Sequence, residues 1–475
     1  MIRRYRCERT PRLRIVRWTG ARFAIAGGSA LAIGAAAVIG GVVVAGHGDS
    51  ADRATPTTSA SPTPSPLVAP TPVLAAPPAG RPQTAAGIAR TLAGPLADRR
   101  LGSRVSATVV DAESGQVLLD RGASNPVTPA STAKLATSVA LLSVTDPDQR
   151  LTTRVVAGPR PGDVVLVGGG DPALSAAPTG KPTAYEGAAR MTTLAALAER
   201  AGLGKVGRVV VDSSLYAGPA MAPTWNPADV GGGYIAPITA TMVDAGRQDG
   251  LRARSTAPDL EAGRALAVAL GVPKAAVVRG RAPVGATELA EVDSQPIPRL
   301  VEQMLLASDN VLAEALARQV AVAEGQPASF AGAAAATRTV LARLGMPAGD
   351  RLLDGSGLSM QDRITPALLA ALLRTAADAD QPRLHALVPG LPVSGYLGTL
   401  DERYRTGPAA VAAGQVRAKT GTLDGVSSLA GLVRGRDGRL LVFAAVADRV
   451  PVGGTLAAEA ALDEVATALT TCGCP

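Results

Sequence analysis

Histidine is almost missing from this sequence, since only His47 and His385 occur among its 475 residues. A histidine-rich metal site is therefore excluded, and a Ser-His-Asp triad could use only His385. The surroundings of His385, residues 384–390, resemble a loop and are typical of a packing or surface histidine. A serine hydrolase built on this chain would need another base. We predict no metal and no cofactor.

Cysteine and aromatic residues are also rare. The three cysteines, Cys7, Cys472 and Cys474, exclude an even disulfide framework, and the last two are predicted to lie in a fraying tail, although a bridge between them is conceivable. Phenylalanine, tryptophan and tyrosine make up only 2% of the chain, against 47% for all hydrophobic residues. The core must therefore be built from alanine, valine and leucine.

Net positive charge is nearly absent outside the first 22 residues. That segment holds eight arginines and one acid, Glu8, and so accounts for nearly all of the formal charge of +8. Binding of nucleic acid requires basic residues clustered on a folded surface, which this distribution does not provide. We therefore predict no nucleic-acid partner, and interpret residues 1–22 as a basic cytoplasmic head.

The following stretch, residues 23–46, contains no charged residue and is rich in Ala, Gly, Ile and Val. Its 24 residues suffice for a helix that crosses a ~30 Å hydrocarbon core, and the preceding arginines place the N-terminus in the cytoplasm. The segment is predicted to anchor the chain in the cell membrane by a single pass. A cleaved signal peptide is the alternative, because Val43, Val44 and Ala45 suit a signal peptidase. In both cases the remainder is extracytoplasmic.

The rest of the chain divides by composition. Residues 47–85 are rich in Pro, Ala, Ser and Thr and predict an extended linker. Residues 86–150 and 291–475 predict one domain of α+β class, with helices packed on an antiparallel sheet, and residues 151–290 predict an inserted β-rich module. One helix is expected to begin after Thr128, its predicted N-cap, and further helices are expected at 297–322, 366–377 and 455–470. Strands are expected on both sides of residues 113–115 and at 163–167, 208–212, 416–422, 427–434 and 439–447.

Lysine is the most informative residue type, because only five of the 47 basic residues are lysines. Arginine does not release its proton in proteins, whereas a desolvated lysine can act as a base. Lys134 follows Ser131 by three residues, and residues three apart share one face of a helix. The pair therefore predicts a nucleophile and its base. Taken alone, it fits an ordinary exposed helix pair equally well.

Two further short motifs follow in the chain. Ser308-Asp309-Asn310 ends a helical run, and Lys419-Thr420-Gly421-Thr422 lies in a predicted strand, where Gly421 would allow a ligand close to the backbone. Each motif alone is weak. Together, S-x-x-K, S-D-N and K-T-G in this order are the set found in penicillin-binding proteins and related β-lactamases.

The chain resembles the D-alanyl-D-alanine carboxypeptidase/endopeptidase family of class C low-molecular-mass penicillin-binding proteins, the S13 peptidases. Besides the three motifs, six stretches carry the resemblance: LVGGGDPAL (166–174), VDSSLYAGP (211–219), VDSQPIPRLVEQMLLASDNVLAEALAR (292–318), DGSGLS (354–359), LPVSGYLGTLDER (391–403) and AKTGTLDGVSSLAGLV (418–433). The 176 residues between Ser131 and Ser308 also fit this family, in which extra domains are inserted there.

The resemblance implies a transpeptidase domain like that of penicillin-binding proteins and serine β-lactamases, and a DD-peptidase that cleaves peptidoglycan stem peptides or their cross-links and is inhibited by β-lactams. It implies that Ser131 is acylated, that Lys134 takes its proton, and that Ser308 and Asn310 line the cleft. Lys419, Thr420, Gly421 and Thr422 would bind the substrate carboxylate, with the N–H groups of Ser131 and Thr422 as oxyanion hole.

Some positions depart from the family pattern or stay open. Met360 stands where some relatives carry a basic residue, and Asp448 where many carry Asn. Asp212 and Tyr216 of the inserted module are candidates for a substrate side-chain subsite, against the alternative of a turn at a strand end. A serine β-lactamase or esterase with the same site, and a silent cell-wall-binding scaffold, are the alternative functions. The sequence does not decide between carboxypeptidase and endopeptidase action.

Overall fold

The computed structural model describes residues 83–248, 253–348 and 351–474. The predicted cytoplasmic head and membrane segment, and nearly all of the predicted linker, lie outside these residues. Within the described ranges, no helix is both long enough and apolar enough to span a membrane.

The described residues form ten α-helices and ten β-strands. The helices are α1 (Ala85–Ala93), α2 (Lys134–Val144), α3 (Met191–Arg200), α4 (Ala228–Gly231), α5 (Pro258–Ala269), α6 (Ile297–Ala307), α7 (Asn310–Ala323), α8 (Phe330–Arg343), α9 (Pro366–Ala377) and α10 (Thr455–Thr471). The strands are β1 (Val105–Asp111), β2 (Val117–Arg121), β3 (Thr152–Ala157), β4 (Asp163–Val167), β5 (Arg208–Asp212), β6 (Ala276–Arg279), β7 (Glu288–Asp293), β8 (Val416–Leu423), β9 (Val426–Arg434) and β10 (Leu440–Ala447).

The first sheet has the order β2-β1-β10-β9-β8, and all its strand pairs are antiparallel. Every residue of β9 except Arg434 is buried, as expected for a strand covered on both faces. One face packs against α2 and α6–α9, and the other against α1 and α10. The predicted α+β class, with helices on an antiparallel sheet, is therefore confirmed.

The second sheet lies entirely within residues 152–293 and has the order β6-β5-β4-β3-β7. Its β4-β5 and β5-β6 pairs are parallel, whereas β3 pairs antiparallel with both neighbours. Helices α3 and α5 cover one face with an apolar core of their own. The predicted strands 163–167 and 208–212 agree with the structure, whereas these two helices were not predicted, because few of their buried residues are large and apolar.

The helices begin where the sequence supplies a cap. Thr365 caps α9 by accepting a hydrogen bond from the Leu368 N–H, and Pro366 fits the first turn, where no intrahelical N–H bond is lost. Ser329 caps α8 in the same way through the Gly332 N–H. These signals explain why the predicted range 366–377 agrees with the structure.

The C-terminal residues pack against α1 rather than fray. Cys472 and Cys474 are buried and joined as a disulfide, and the Thr91 hydroxyl lies 3.3 Å from the Cys472 sulfur. The Thr84 N–H also donates to the carbonyl of Cys474. The predicted fraying tail is therefore wrong, because the two sulfurs contribute to the apolar layer between α1 and α10.

Candidate active site

Ser131 lies in a short 3₁₀ turn, Ala130–Ala133, directly before α2. The preceding residue, Ala130, has a left-handed backbone with φ of +48°, a conformation that costs a non-glycine residue about 1 kcal/mol or more and is frequent at functional sites. The expected Thr128 cap is wrong, since the Thr128 hydroxyl accepts a hydrogen bond from Arg363 instead. The turn leaves the Ser131 side chain partly exposed.

Lys134 is fully buried at the start of α2 and is held by three acceptors. Its Nζ lies 2.8 Å from Ser131 Oγ, 2.7 Å from Asn310 Oδ1 and 2.8 Å from the carbonyl oxygen of Ser356. These acceptors match the three N–H bonds of an ammonium group. When one proton leaves, two N–H bonds can still hold the amine while its lone pair faces the Ser131 hydroxyl.

Burial lowers the pKa of Lys134 to about 8, because an apolar environment penalises the charged form. The carboxylates of Asp354, Glu314 and Asp309 oppose this shift by favouring the ammonium. The result is an amine whose neutral form is accessible near neutral pH. This property is what a lysine base requires.

Ser308 and Asn310 lie at a break between two helices. Ser308 ends α6 in a left-handed conformation with φ of +52°, and Asp309 caps α7 through the N–H groups of Val311 and Leu312. The helical range 297–322 is therefore two helices rather than one, and the predicted end of a helical run at Ser308-Asp309-Asn310 is confirmed, because Ser308 ends α6 and Asp309 caps α7. The break directs Asn310 toward Lys134.

Lys419 is fully buried on β8, the edge strand next to the 3₁₀ turn. Its Nζ donates to Ser308 Oγ and to the Thr420 carbonyl, both at 2.8 Å. Burial holds its pKa well below the usual lysine range, and the nearby positive charge of Lys134 acts in the same direction. Thr420 is buried, with its hydroxyl 2.8 Å from that of Thr399, whereas Thr422 is exposed and donates to Glu459.

Gly421 brings the backbone of β8 against the turn that carries Ser131. A Cβ atom at this position would lie 2.8 Å from the Pro129 carbonyl oxygen and 3.0 Å from the Ser131 nitrogen, and would also collide with the Ser428 hydroxyl. Such contacts are closer than side chains tolerate, so only glycine fits. The strand and the nucleophile are therefore adjacent, as an oxyanion hole between them requires.

The structure thus brings two serine–lysine pairs and Asn310 to one place. The family model described as the D-Ala-D-Ala carboxypeptidase 3 (S13) family matches residues 88–250 and 247–469, which together cover most of the chain and both sides of this site. The chain belongs to this family.

Individual S13 relatives agree with this assignment. Carboxypeptidase DacB of Mycolicibacterium smegmatis is 45% identical over 399 residues, covering 82% of this chain and 85% of the relative. A carboxypeptidase of Mycobacterium tuberculosis is 45% identical over 402 residues, with the same coverage of both chains. The crystal structure of penicillin-binding protein 4 of Haemophilus influenzae, 21% identical, superposes with a TM-score of 0.67 over 80% of this chain and 97% of its own, which shows a shared fold. The chain is accordingly a serine peptidase of the DD-carboxypeptidase class.

Asp212 does not lie with the two serine–lysine pairs and Asn310. It ends β5 in the second sheet, where its carboxylate accepts hydrogen bonds from the N–H groups of Ser214 and Ala282 and its carbonyl accepts from Thr241. Tyr216 is half-buried, and its hydroxyl donates to the carbonyl of Ala315. These partners favour the turn at a strand end over a substrate subsite.

The two departures from the family pattern have different surroundings. Asp448 has a buried side chain that is paired with Arg104 and accepts a hydrogen bond from the Thr128 N–H, so it supports the approach to the 3₁₀ turn. Met360 is 47% exposed and has no such role.

His385 is exposed, with its ring nitrogen 2.7 Å from the Asp378 carbonyl oxygen. In the described ranges, no group of His, Cys, Asp or Glu side chains could hold a metal ion.

Sequence reasoning missed the residues behind Lys134. Ser356 supplies one of its three acceptors, and Glu314 holds the backbone of the same loop. Both lie in stretches that the sequence analysis quoted for the family resemblance, DGSGLS and the helix after Ser308. Glu314 follows Asn310 by four residues, so helical periodicity could have placed both on one face.

Proposed function

We propose that Ser131 is the acylated nucleophile of a DD-peptidase and Lys134 its general base. The buried Lys134 amine, 2.8 Å from the Ser131 hydroxyl, carries this proposal. The amine takes the hydroxyl proton while Oγ bonds to the carbonyl carbon of the penultimate D-Ala. The C–N bond then breaks, the leaving amine receives a proton, and water later hydrolyses the ester.

Ser308 and Lys419 form the second half of the proposed machinery. The hydrogen bond from Lys419 to Ser308 provides a route by which a proton reaches the leaving amine. Lys419, with Thr420 and Thr422, binds the substrate's terminal carboxylate, whose negative charge would restore a buried ammonium. The N–H groups of Ser131 and Thr422 face the developing oxyanion, a contribution of about 3 kcal/mol per donor.

The proposed substrates are stem peptides of peptidoglycan and their cross-links, and β-lactams are the proposed inhibitors. The H. influenzae penicillin-binding protein 4, which shares this fold, has been solved in complex with a β-lactam. A strained lactam amide would acylate Ser131 in the same way as a D-Ala-D-Ala bond. We propose no nucleic-acid partner, because the net positive charge is concentrated in residues 1–22.

The experiment is mass spectrometry of purified muropeptides after incubation with the purified protein. Loss of one terminal D-Ala shows carboxypeptidase action, and splitting of cross-linked dimers shows endopeptidase action. Ser131→Ala should abolish both. Ser143→Ala should retain them, because Ser143 lies at the far end of α2 with its hydroxyl bonded to the Val139 carbonyl. Activity retained by Ser131→Ala contradicts the proposal, and rapid turnover of bound penicillin would indicate a β-lactamase instead.

We also propose that residues 23–46 anchor the protein in the membrane by a single pass and that the linker holds the catalytic domain outside. The uncharged segment behind eight arginines supports this arrangement. The intact mass of the protein isolated in parallel from membranes and from the culture medium tests it. A chain that retains residues 1–46 supports the anchor. A mature N-terminus close after Ala45 shows a cleaved signal and a secreted enzyme.

A further inference from the structure

Glu314 lies behind the proposed active site, one helical turn after Asn310 on α7. It is fully buried, and both carboxylate oxygens accept hydrogen bonds from backbone N–H groups. The Gly355 N–H lies 3.0 and 3.1 Å from the two oxygens, and the Ser356 N–H lies 2.8 Å from one of them. Glu314 thus holds the start of the loop 355–359 from α7, while Asp354, directly before the loop, accepts hydrogen bonds from the N–H groups of Ser356, Gly357 and Ser359.

The same loop reaches Lys134 from its other side. The Ser356 carbonyl accepts a hydrogen bond from Lys134 Nζ at 2.8 Å, and the Gly355 carbonyl accepts one from the Thr137 hydroxyl at 2.7 Å. A Cβ at Gly355 would collide with Ala317 on α7, so the loop is wedged between α7 and α2. Glu314 therefore fixes the position of an oxygen that touches the proposed base.

Several other buried ionisable side chains surround Glu314. Arg318 is buried one turn further along α7, with its Nη1 3.9 Å from Glu314 Oε2, and its guanidinium stacks on the Phe330 ring. Asp354 lies in the same loop and accepts hydrogen bonds from Trp225 and from the Gly357 N–H. Asp362 adds a third buried carboxyl, whose burial raises its pKa to about 10, so it is protonated near neutral pH.

Burial and the charge of Asp354 raise the pKa of Glu314 to about 7, while Arg318 and the backbone N–H groups act against this rise. The other groups that affect Lys134 from neighbouring elements are Asp309, which caps α7, and Lys419 on β8. Two of the three carboxylates that favour the Lys134 ammonium also accept a hydrogen bond from the Ser356 N–H, Glu314 at 2.8 Å and Asp354 at 3.2 Å. Glu314 is the one of these two that holds the loop from a different element, α7.

We propose that Glu314 is a positioning residue for Lys134, which holds the Ser356 carbonyl in place and supplies part of the negative charge that the Lys134 ammonium faces. The inference rests on the proposed function of Lys134 as base. Glu314 touches neither Ser131 nor the substrate. It acts through the loop and through its charge, and these two effects can be separated.

The test compares Glu314→Gln, Glu314→Asp and Glu324→Gln with the wild type. The readout is the second-order rate constant for acylation by a fluorescent penicillin, measured from about pH 5 to about pH 10. Glu324 is the matched control, because it ends the same helix and pairs with Arg343 on the surface. Glu324→Gln should leave unchanged both the plateau that the acylation rate constant reaches at high pH and the pH at which the rate falls on the acidic side, the acidic limb.

Glu314→Gln should lower the plateau about 10- to 100-fold, because the glutamine NH₂ presents a donor to a backbone donor and displaces the Ser356 carbonyl. It should also move the acidic limb toward lower pH by about one unit, since loss of a negative neighbour lowers the pKa of Lys134. Glu314→Asp retains the charge but shortens the reach. It should lower the plateau and leave the limb in place.

Folding of Glu314→Gln is verified by circular dichroism. If its acidic limb does not move, the proposed charge effect is overturned. If its plateau rate is unchanged, the positioning effect is overturned. If Glu314→Gln does not fold, Glu314→Asp decides, because wild-type acylation in that variant contradicts the proposal. Failure of the wild type itself to acylate at Ser131 would refute the proposed function instead, so the two failures are distinguishable.

Discussion

The glycine at position 421 offers a direct test of how closely the proposed site is fitted together. Replacing Gly421 by alanine adds a single methyl group at the point where β8 meets the nucleophile turn. That methyl would lie 2.8 Å from the Pro129 carbonyl oxygen and 3.0 Å from the Ser131 nitrogen. Ordinary contacts begin at 3.4 Å, so the strand and the turn must separate by several tenths of an ångström.

The Ser428 hydroxyl resists this separation, because it donates a 2.7 Å hydrogen bond to the same Pro129 carbonyl. Overpacking of this kind typically costs about 1–3 kcal/mol of folding free energy, which a domain of this size tolerates. Catalysis is more sensitive, since a displacement near 1 Å can cost about 100-fold in rate. We therefore expect Gly421→Ala to fold, melt a few degrees lower, and acylate about 100-fold more slowly.

The assay is stopped-flow acylation by a fluorescent penicillin, with thermal melting in parallel. Gly94→Ala is the control, because a Cβ at Gly94 meets no atom within 4 Å. Its melting temperature and acylation rate should match the wild type. If Gly421→Ala acylates within about threefold of the wild type, the close approach between β8 and Ser131 has no catalytic importance and the reasoning is refuted.

Three further predictions concern charged groups. Because Lys134 must be neutral to act and its pKa is about 8, the acylation rate should fall about tenfold per pH unit below that value, and a flat profile would contradict its role. Asp309→Asn, which leaves the buried Arg254 without its carboxylate, should cost about 3–5 kcal/mol in urea unfolding at neutral pH. The folded state lowers the pKa of Asp309, so the stability that its carboxylate contributes is present above the unfolded pKa and is lost as the pH falls. The difference in the free energy of unfolding between the variant and the wild type should therefore shrink in acid. A difference that stays constant with pH would contradict this. Lys419→Gln should reduce kcat/KM for a D-Ala-D-Ala peptide about 100-fold but affect the C-terminal amide of the same peptide far less; equal losses would exclude carboxylate binding.

The sequence predicted well those parts that depend on local signals. The capped helix 366–377 and the strands 163–167 and 208–212 agree with the structure, because a cap or a short apolar run with turn residues marks each boundary. The site motifs were found because lysine is rare in this chain and because three short patterns occur in order. Spacing alone then brought Ser131 beside Lys134.

Other features depend on contacts between distant segments. Asp309 is a local helix cap, but its ion pairs with Arg247 and Arg254 come from the inserted region, far away in the sequence. Asp212 lies in a quoted family stretch, yet its carboxylate is occupied by backbone donors from Ser214 and Ala282. Neither fact can be deduced from neighbouring residues.

The pairing of β1 with β10 has a consequence for the order in which this protein can be assembled. Val105 is in register with Ala447, so the hairpin of β1 and β2 joins the rest of the catalytic sheet only through a strand more than 300 residues later in the chain. Sheets closed by such distant segments fold slowly, because the loop must be closed before the contacts form. The second sheet, complete within residues 152–293, can form first during synthesis. A chain that stops before residue 440 would therefore contain Ser131, Lys134 and Lys419 but lack β10, the strand through which β1 and β2 join β9 and β8.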